Sequence, residues 1–126
     1  MSETSILIVE DEDNIALALT HVLRREGYAV DRVADGAKAV PAIRAMLPDL
    51  VLLDVMLPEV SGYEICQTVR MDEGLTDVKI LIMTARGTDV ERRKGLALGA
   101  NGFITKPFEL TDLKQQVADC LAGDAS

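Results

Sequence analysis

The sequence has little positive charge, few aromatic residues, only two cysteines and no long apolar run. Thirteen Lys and Arg stand against 21 Asp and Glu, a formal net charge of -8. That balance disfavours nonspecific binding to nucleic acid or to an anionic membrane, because both are polyanions. No apolar stretch approaches the roughly 20 residues that a bilayer span requires. The first residues, Met1-Ser2-Glu3-Thr4, offer neither a basic segment nor an apolar one, so no signal peptide is read and a cytoplasmic location is expected. Cys66 and Cys120 fall on expected helices without the spacing of metal ligands, and are read as reduced packing residues. The lone His21 falls on the first expected helix and is read as a surface residue.

What is present suits one domain with one core: 126 residues, 48% of them hydrophobic. Three runs, Ile6-Leu7-Ile8-Val9, Leu50-Val51-Leu52-Leu53 and Ile80-Leu81-Ile82-Met83, are continuously apolar, as strands covered on both faces are. Tyr28 to Val33 is more mixed and reads as an edge strand, and Gly102-Phe103-Ile104 as a short fifth strand. Helical spacing fills the gaps. Ile15, Leu19, Val22 and Leu23 precede a stop at Gly27; a second helix covers Ala37 to Met46 with Asp35 as N-cap; a third covers Tyr63 to Arg70. Pro41 predicts a kink or a late start in the second helix. Thr88-Asp89-Val90-Glu91 is a capping box opening a fourth helix that ends at Gly99, and Leu110, Leu113, Val117 and Leu121 give a fifth. The expectation is an α/β fold, a single (βα)5 doubly wound domain with a parallel sheet and right-handed crossovers, its core over about 5–121 and a frayed tail at 122–126.

In such sheets ligands bind beyond the carboxyl ends of the strands. Glu10 and Asp11 follow the first strand, Asp54 ends the third, Thr84 follows the fourth and Lys106 the fifth. Each has a bland reading alone: a helix-dipole acid, a turn residue before Pro58, a backbone-bonding hydroxyl, a solvated lysine. One fold brings all of them to one edge. Clustered acids are most economically explained by a hard divalent cation, with Asp11 ligating directly and Glu10 assisting. Carboxylate, hydroxyl and ammonium are the groups that phosphoryl transfer needs, so Asp54 is a candidate phosphoryl acceptor, with Thr84 and Lys106 as donors to the transferred group. Arg92-Arg93-Lys94, the densest basic run, is either a solvated helix face or a contact patch for an acidic partner.

Taken together, Glu10-Asp11, Asp54 with Leu57-Pro58 and Gly62, Thr84-Ala85, Gly99-Ala100 and Lys106-Pro107-Phe108 make the chain resemble the receiver domain of two-component response regulators, in particular the chemotaxis type, from about Ser5 to Leu121. The resemblance implies a five-stranded parallel sheet in the order 2-1-3-4-5 with helices on both faces. It implies a phosphoacceptor, not an enzyme, that promotes its own phosphorylation and dephosphorylation. A sensor histidine kinase or phosphotransfer protein would pass a phosphoryl group to Asp54. Mg2+, or Mn2+ in its place, would be held by Glu10, Asp11, Asp54 and the backbone carbonyl of Met56. Lys106 would contact the phosphoryl group, Thr84 would move toward it, and Phe103 would change rotamer as the partner of that switch. A cis bond between Lys106 and Pro107 is also implied. The surface of the fourth helix, fifth strand and fifth helix would then select a downstream protein or output domain. The implied partners include no nucleic acid and no membrane, and the implied state is a monomer or a weak phosphorylation-dependent dimer. Many DNA-binding members have two acids where this chain has Asn101-Gly102, and an arginine-rich fifth helix where it has Lys114-Gln115-Gln116.

Other functions fit the architecture but not the residues. A dinucleotide-binding enzyme wants a glycine-rich turn where Glu10-Asp11-Glu12-Asp13 stands. A phosphatase with an aspartyl nucleophile wants a second acid where Met56 stands. A receiver-like interaction domain that is never phosphorylated is the remaining alternative.

Overall fold

The computed structural model describes residues 3–123. Five strands, β1 (Ser5–Val9), β2 (Ala29–Val33), β3 (Leu50–Asp54), β4 (Lys79–Thr84) and β5 (Gly102–Thr105), form one parallel sheet in the order β2-β1-β3-β4-β5. Five helices connect and cover them: α1 (Asp13–Arg25), α2 (Ala39–Met46), α3 (Gly62–Met71), α4 (Asp89–Ala97) and α5 (Leu110–Ala122).

The alternation within each strand divides the core in two. Ile6, Ile8, Leu50, Leu52, Leu81 and Met83 point to the α1–α5 face, where Leu19, Leu23, Leu113 and Val117 meet them. Leu7, Val9, Val51, Leu53, Ile80 and Ile82 point to the opposite face, against Ile43, Ile65 and Val69 of α2 and α3. Both faces being covered explains why β1, β3 and β4 are apolar at almost every position. Full burial of each such side chain contributes about 1.5–3 kcal/mol.

The local chemistry accounts for the boundaries. Asp35 accepts from the Ala37 amide and opens a 3-10 turn over Gly36–Lys38, so α2 proper starts late, at Ala39. Pro41 thereby falls in the first turn, where a missing amide hydrogen leaves no bond unmade. Strand β2 starts at Ala29, one residue later than expected, because the Tyr28 amide is still engaged by the Leu23 carbonyl at the end of α1. Thr88 caps α4 by accepting from the Glu91 amide at 3.2 Å, but only half of the expected capping box forms, since the Glu91 carboxylate turns to Tyr63. The expected frayed tail starts too early: Ala122 is the last residue of α5, and Gly123, at φ +78°, caps the helix with its amide. A glycine takes that left-handed position without steric cost. Residues 124–126 of the expected tail lie outside the described residues.

Candidate functional site

The strand order sets β1, β3, β4 and β5 side by side, so four chain segments far apart in sequence end at one edge. Glu10 follows β1 directly, Asp54 and Thr84 are the last residues of β3 and β4, and Lys106 follows β5. Backbone bonds hold these ends in step: the Val55 amide donates to the Met83 carbonyl at 3.1 Å, and the Lys106 amide to the Thr84 carbonyl at 2.6 Å.

Glu10, Asp54 and Thr84 are the three buried polar residues of the described chain. Lys106 reaches over them. Its Nζ lies 2.7 Å from Glu10 Oε1 and 3.3 Å from Asp54 Oδ2. The other Asp54 oxygen, Oδ1, accepts from the Met56 amide at 3.0 Å, and Glu10 Oε2 accepts from the Glu12 amide at 3.1 Å. Asp11 is exposed, yet one carboxylate oxygen from each of Glu10, Asp11 and Asp54 falls within 4.8 Å of the others.

Three carboxylates thus face a single ammonium, and the site carries an excess of negative charge. Desolvation by burial pushes Glu10 up to about 7, although its bond from Lys106 acts the other way. Burial works against the charge of Lys106, but Glu10 and Asp54 more than offset it, and its pKa is raised. An all-oxygen donor set with surplus negative charge fits a small hard dication.

The β3–α3 connection is shaped around Asp54. The Gly62 amide donates to the Val55 carbonyl at 3.2 Å, and Gly62 lies so close to β3 that a Cβ there would sit 2.4 Å from the Asp54 carbonyl oxygen. The Lys106–Pro107 bond is cis, as expected. The Thr84 hydroxyl accepts from the Arg86 amide at 3.0 Å. Phe103 is already buried, beside Gly95 of α4 and Ile82, so an exposed ring is not its starting position. His21 is exposed, and Cys66 and Cys120 are free and buried, as read from the sequence.

Two features escaped the sequence reading. Tyr63, on the first turn of α3, donates to Glu91 of α4, and Lys94 Nζ lies 4.4 Å from the Tyr63 ring centroid. All three residues of the basic run are exposed, and Lys94 alone of them has this contact. The other feature is Arg32 of β2, whose Nε donates to the Glu10 carbonyl at 2.9 Å. A guanidinium on the same strand face as Val30 was the available signal.

Comparison with known proteins gives consistent results. The family model described as response regulator receiver domain matches residues 6–118. The DNA-binding response regulator MtrA of Mycolicibacterium smegmatis is 41% identical over 112 residues, covering 89% of this chain and 48% of that protein. The chain therefore spans about half the length of the curated relatives it matches. The chemotaxis response regulator CheY4 of Vibrio cholerae superposes with a TM-score of 0.89 at 28% identity, over 94% of this chain and 99% of that one. The receiver domain of sensor histidine kinase PA1611 from Pseudomonas aeruginosa, solved with a magnesium ion coordinated in its active site cleft, superposes with a TM-score of 0.86 at 30% identity, over 96% and 99%.

These relatives correct the expected partners. The acidic charge disfavours nonspecific binding and no direct nucleic-acid binding by this chain is expected, yet the similar MtrA is a DNA-binding regulator. The charge of one segment describes that segment's own surface and says nothing about the remaining half of such a protein. Among the described residues, no helix is long and apolar enough to cross a membrane.

Proposed function

The chain belongs to the response regulator receiver domain family, a family of signalling domains, and from that premise we propose that Asp54 is its phosphoacceptor, charged by a sensor histidine kinase in a magnesium-dependent reaction. The observation that carries this reading is the placement of Lys106 Nζ at 2.7 Å from Glu10 and 3.3 Å from Asp54, with Asp11 completing a three-carboxylate cluster.

In this reading a carboxylate oxygen of Asp54 forms the new P–O bond as the P–N bond of a phosphohistidine breaks. The Met56 amide and the Lys106 ammonium fix the two Asp54 oxygens beforehand, which lowers the orientational cost of attack. Glu10, Asp11, Asp54 and the Met56 backbone carbonyl would hold magnesium, or manganese in its place. The bound ion would neutralise charge on the transferring oxygens. Lys106 and the Thr84 hydroxyl then donate to the phosphoryl oxygens. Thr84 accepts from the Arg86 amide and so keeps its own proton free to donate; as the hydroxyl turns toward the phosphoryl group, Phe103 repacks between β5 and α4 in response. The face made by α4, β5 and α5 thereby reports the state of Asp54 to an output. The unit acts as a single receiver domain with its core over about 5–121, in the cytoplasm.

Mass spectrometry after incubation with magnesium and acetyl phosphate tests the acceptor. Wild type gains one acid-stable, base-labile phosphoryl group, and Asp54→Asn does not; labelling that persists on another residue in Asp54→Asn refutes the assignment. Asp11→Ala abolishes both magnesium binding and phosphorylation, and retention of either at the wild-type level removes Asp11 from the site.

A further inference from the structure

We propose that Arg32 is a positioning residue for the cation site, setting the aim of Asp11 by gripping the peptide unit that joins it to Glu10. The proposal rests on the metal assignment above.

Arg32 sits on the edge strand β2, opposite Ile8 in the parallel register and on the face of β2 that carries Val30. Its aliphatic stem thus lies along apolar surface while its head reaches past the end of β1. There the fork spans the loop between β1 and α1. Nε donates to the Glu10 carbonyl at 2.9 Å, and Nη2, buried and without a hydrogen-bond partner among the described residues, pairs only by charge with Asp13 Oδ1, 2.9 Å away at the start of α1. A second clamp on the same strand end, from the Glu10 amide to the Val33 carbonyl at 3.1 Å, fixes Glu10 from its other side.

The carbonyl that Arg32 holds belongs to the peptide plane between Glu10 and Asp11. Rotation of that plane would leave Glu10 in place but swing Asp11. The Glu10 carboxylate has its own restraints, from Lys106 and the Glu12 amide. The Asp11 carboxylate is exposed and has no comparable hydrogen bond among the described residues, so its direction depends on its backbone. Groups that orient a metal ligand in this way typically change affinity by 10–100-fold when removed.

Two effects of Arg32 have opposite signs, and that makes the role measurable. Its positive charge near the cluster opposes a dication, so neutralising it would tighten magnesium binding if charge alone mattered. Its grip on the peptide supports the site, so losing it weakens binding. Arg32→Lys keeps the charge and loses the planar fork. Arg32→Gln loses both.

The test is a titration of the 15N-labelled protein with magnesium chloride alone, following backbone amide shifts, with a thermal melt of each variant. Arg32→Lys is expected to bind magnesium about 10-fold more weakly, and Arg32→Gln to be weakened less because its lost charge partly offsets the lost grip, with the Asp11 and Glu12 amides displaced in both before any metal is added. Unchanged or tighter binding in Arg32→Lys, which keeps the charge and loses only the fork, overturns the proposal. So does a lowered melting temperature with an unchanged dissociation constant in the folded protein, which marks a merely structural arginine. If Arg32→Gln does not fold, Arg32→Lys decides on the same criteria. Wild type that fails to bind magnesium would defeat the metal assignment itself, whereas wild-type binding matched by both variants defeats only the role of Arg32.

Discussion

The Tyr63 hydroxyl donates to Glu91 Oε2 at 2.5 Å, joining the first turn of α3 to α4. Desolvation and the Glu91 carboxylate both hold the phenol in its protonated form, its pKa pushed well up. The bond matters for α4 because Gly95 is the buried residue of that helix and supplies no side chain to the core.

Tyr63→Phe therefore loosens α4 selectively. A part-buried bond to a charged group contributes about 1.5–3 kcal/mol, so the loss of global stability should be near the lower end. Hydrogen exchange reads the location: amides of Asp89–Ala97 exchange faster while β1 and β3 stay protected. Uniform acceleration across the sheet would show that the bond does not tether α4.

Gly62→Ala should be among the most damaging small substitutions in the chain. The added methyl would meet the Asp54 carbonyl oxygen and Val55 Cα at 2.4 and 2.6 Å, both backbone atoms that cannot rotate aside. Overpacking costs typically about 1–3 kcal/mol, and more where backbone must move. Denaturant unfolding measures the loss, and a change below about 0.5 kcal/mol contradicts the packing described.

Thr84→Ala should separate acceptance from signalling. The hydroxyl bonds the Arg86 amide and is not a partner of Asp54 in this structure, so its removal leaves the contacts of Asp54, the proposed acceptor, intact. Phosphorylation by acetyl phosphate persists, but amide shifts around Phe103 and α4 on adding beryllofluoride shrink. A ligand shifts a two-state equilibrium only by its differential interaction with the two states, and Thr84 would supply that difference. Equal shifts in wild type and variant refute the switch.

Stability should fall at alkaline pH through Cys120. Burial first, and Asp119 second, push its thiol up to about 11. The folded state therefore prefers the neutral form: the contribution is fully present below the ordinary thiol pKa of about 8.5 and is lost as pH rises toward 11. Cys120→Ala should flatten that part of the stability–pH curve relative to wild type. In the folded protein neither Cys66 nor Cys120 should react with a thiol reagent at neutral pH, and rapid reaction of either would contradict its burial.

The strands that carry the site were legible because burial on both faces leaves a continuous apolar run, as at Leu50-Val51-Leu52-Leu53, and because a polar residue ending such a run stands out. Asp54, Thr84 and Lys106 could be placed at one edge from topology alone. Arg32 could not, since its target is a main-chain carbonyl 22 residues away, and any residue type supplies a carbonyl. Glu91 misled for a related reason. Its spacing from Thr88 matches a capping box, but a phenol from another helix outcompeted the local amide for its carboxylate. Pro41 left two outcomes open, and the side-chain cap from Asp35 favoured the late start.

The ion pair between Glu10 and Lys106 spans 96 positions of the chain. During synthesis, therefore, the acids of β1 and β3 exist long before the one lysine that neutralises them. Until β5 docks against β4, Glu10 and Asp54 remain two acids without their ammonium, and the apolar neighbours that will bury them work against their charge. Completing the site is one of the last long-range closures available to this domain. A chain interrupted before Lys106 can carry every acid of the cluster and still leave Glu10 and Asp54 without their counter-charge.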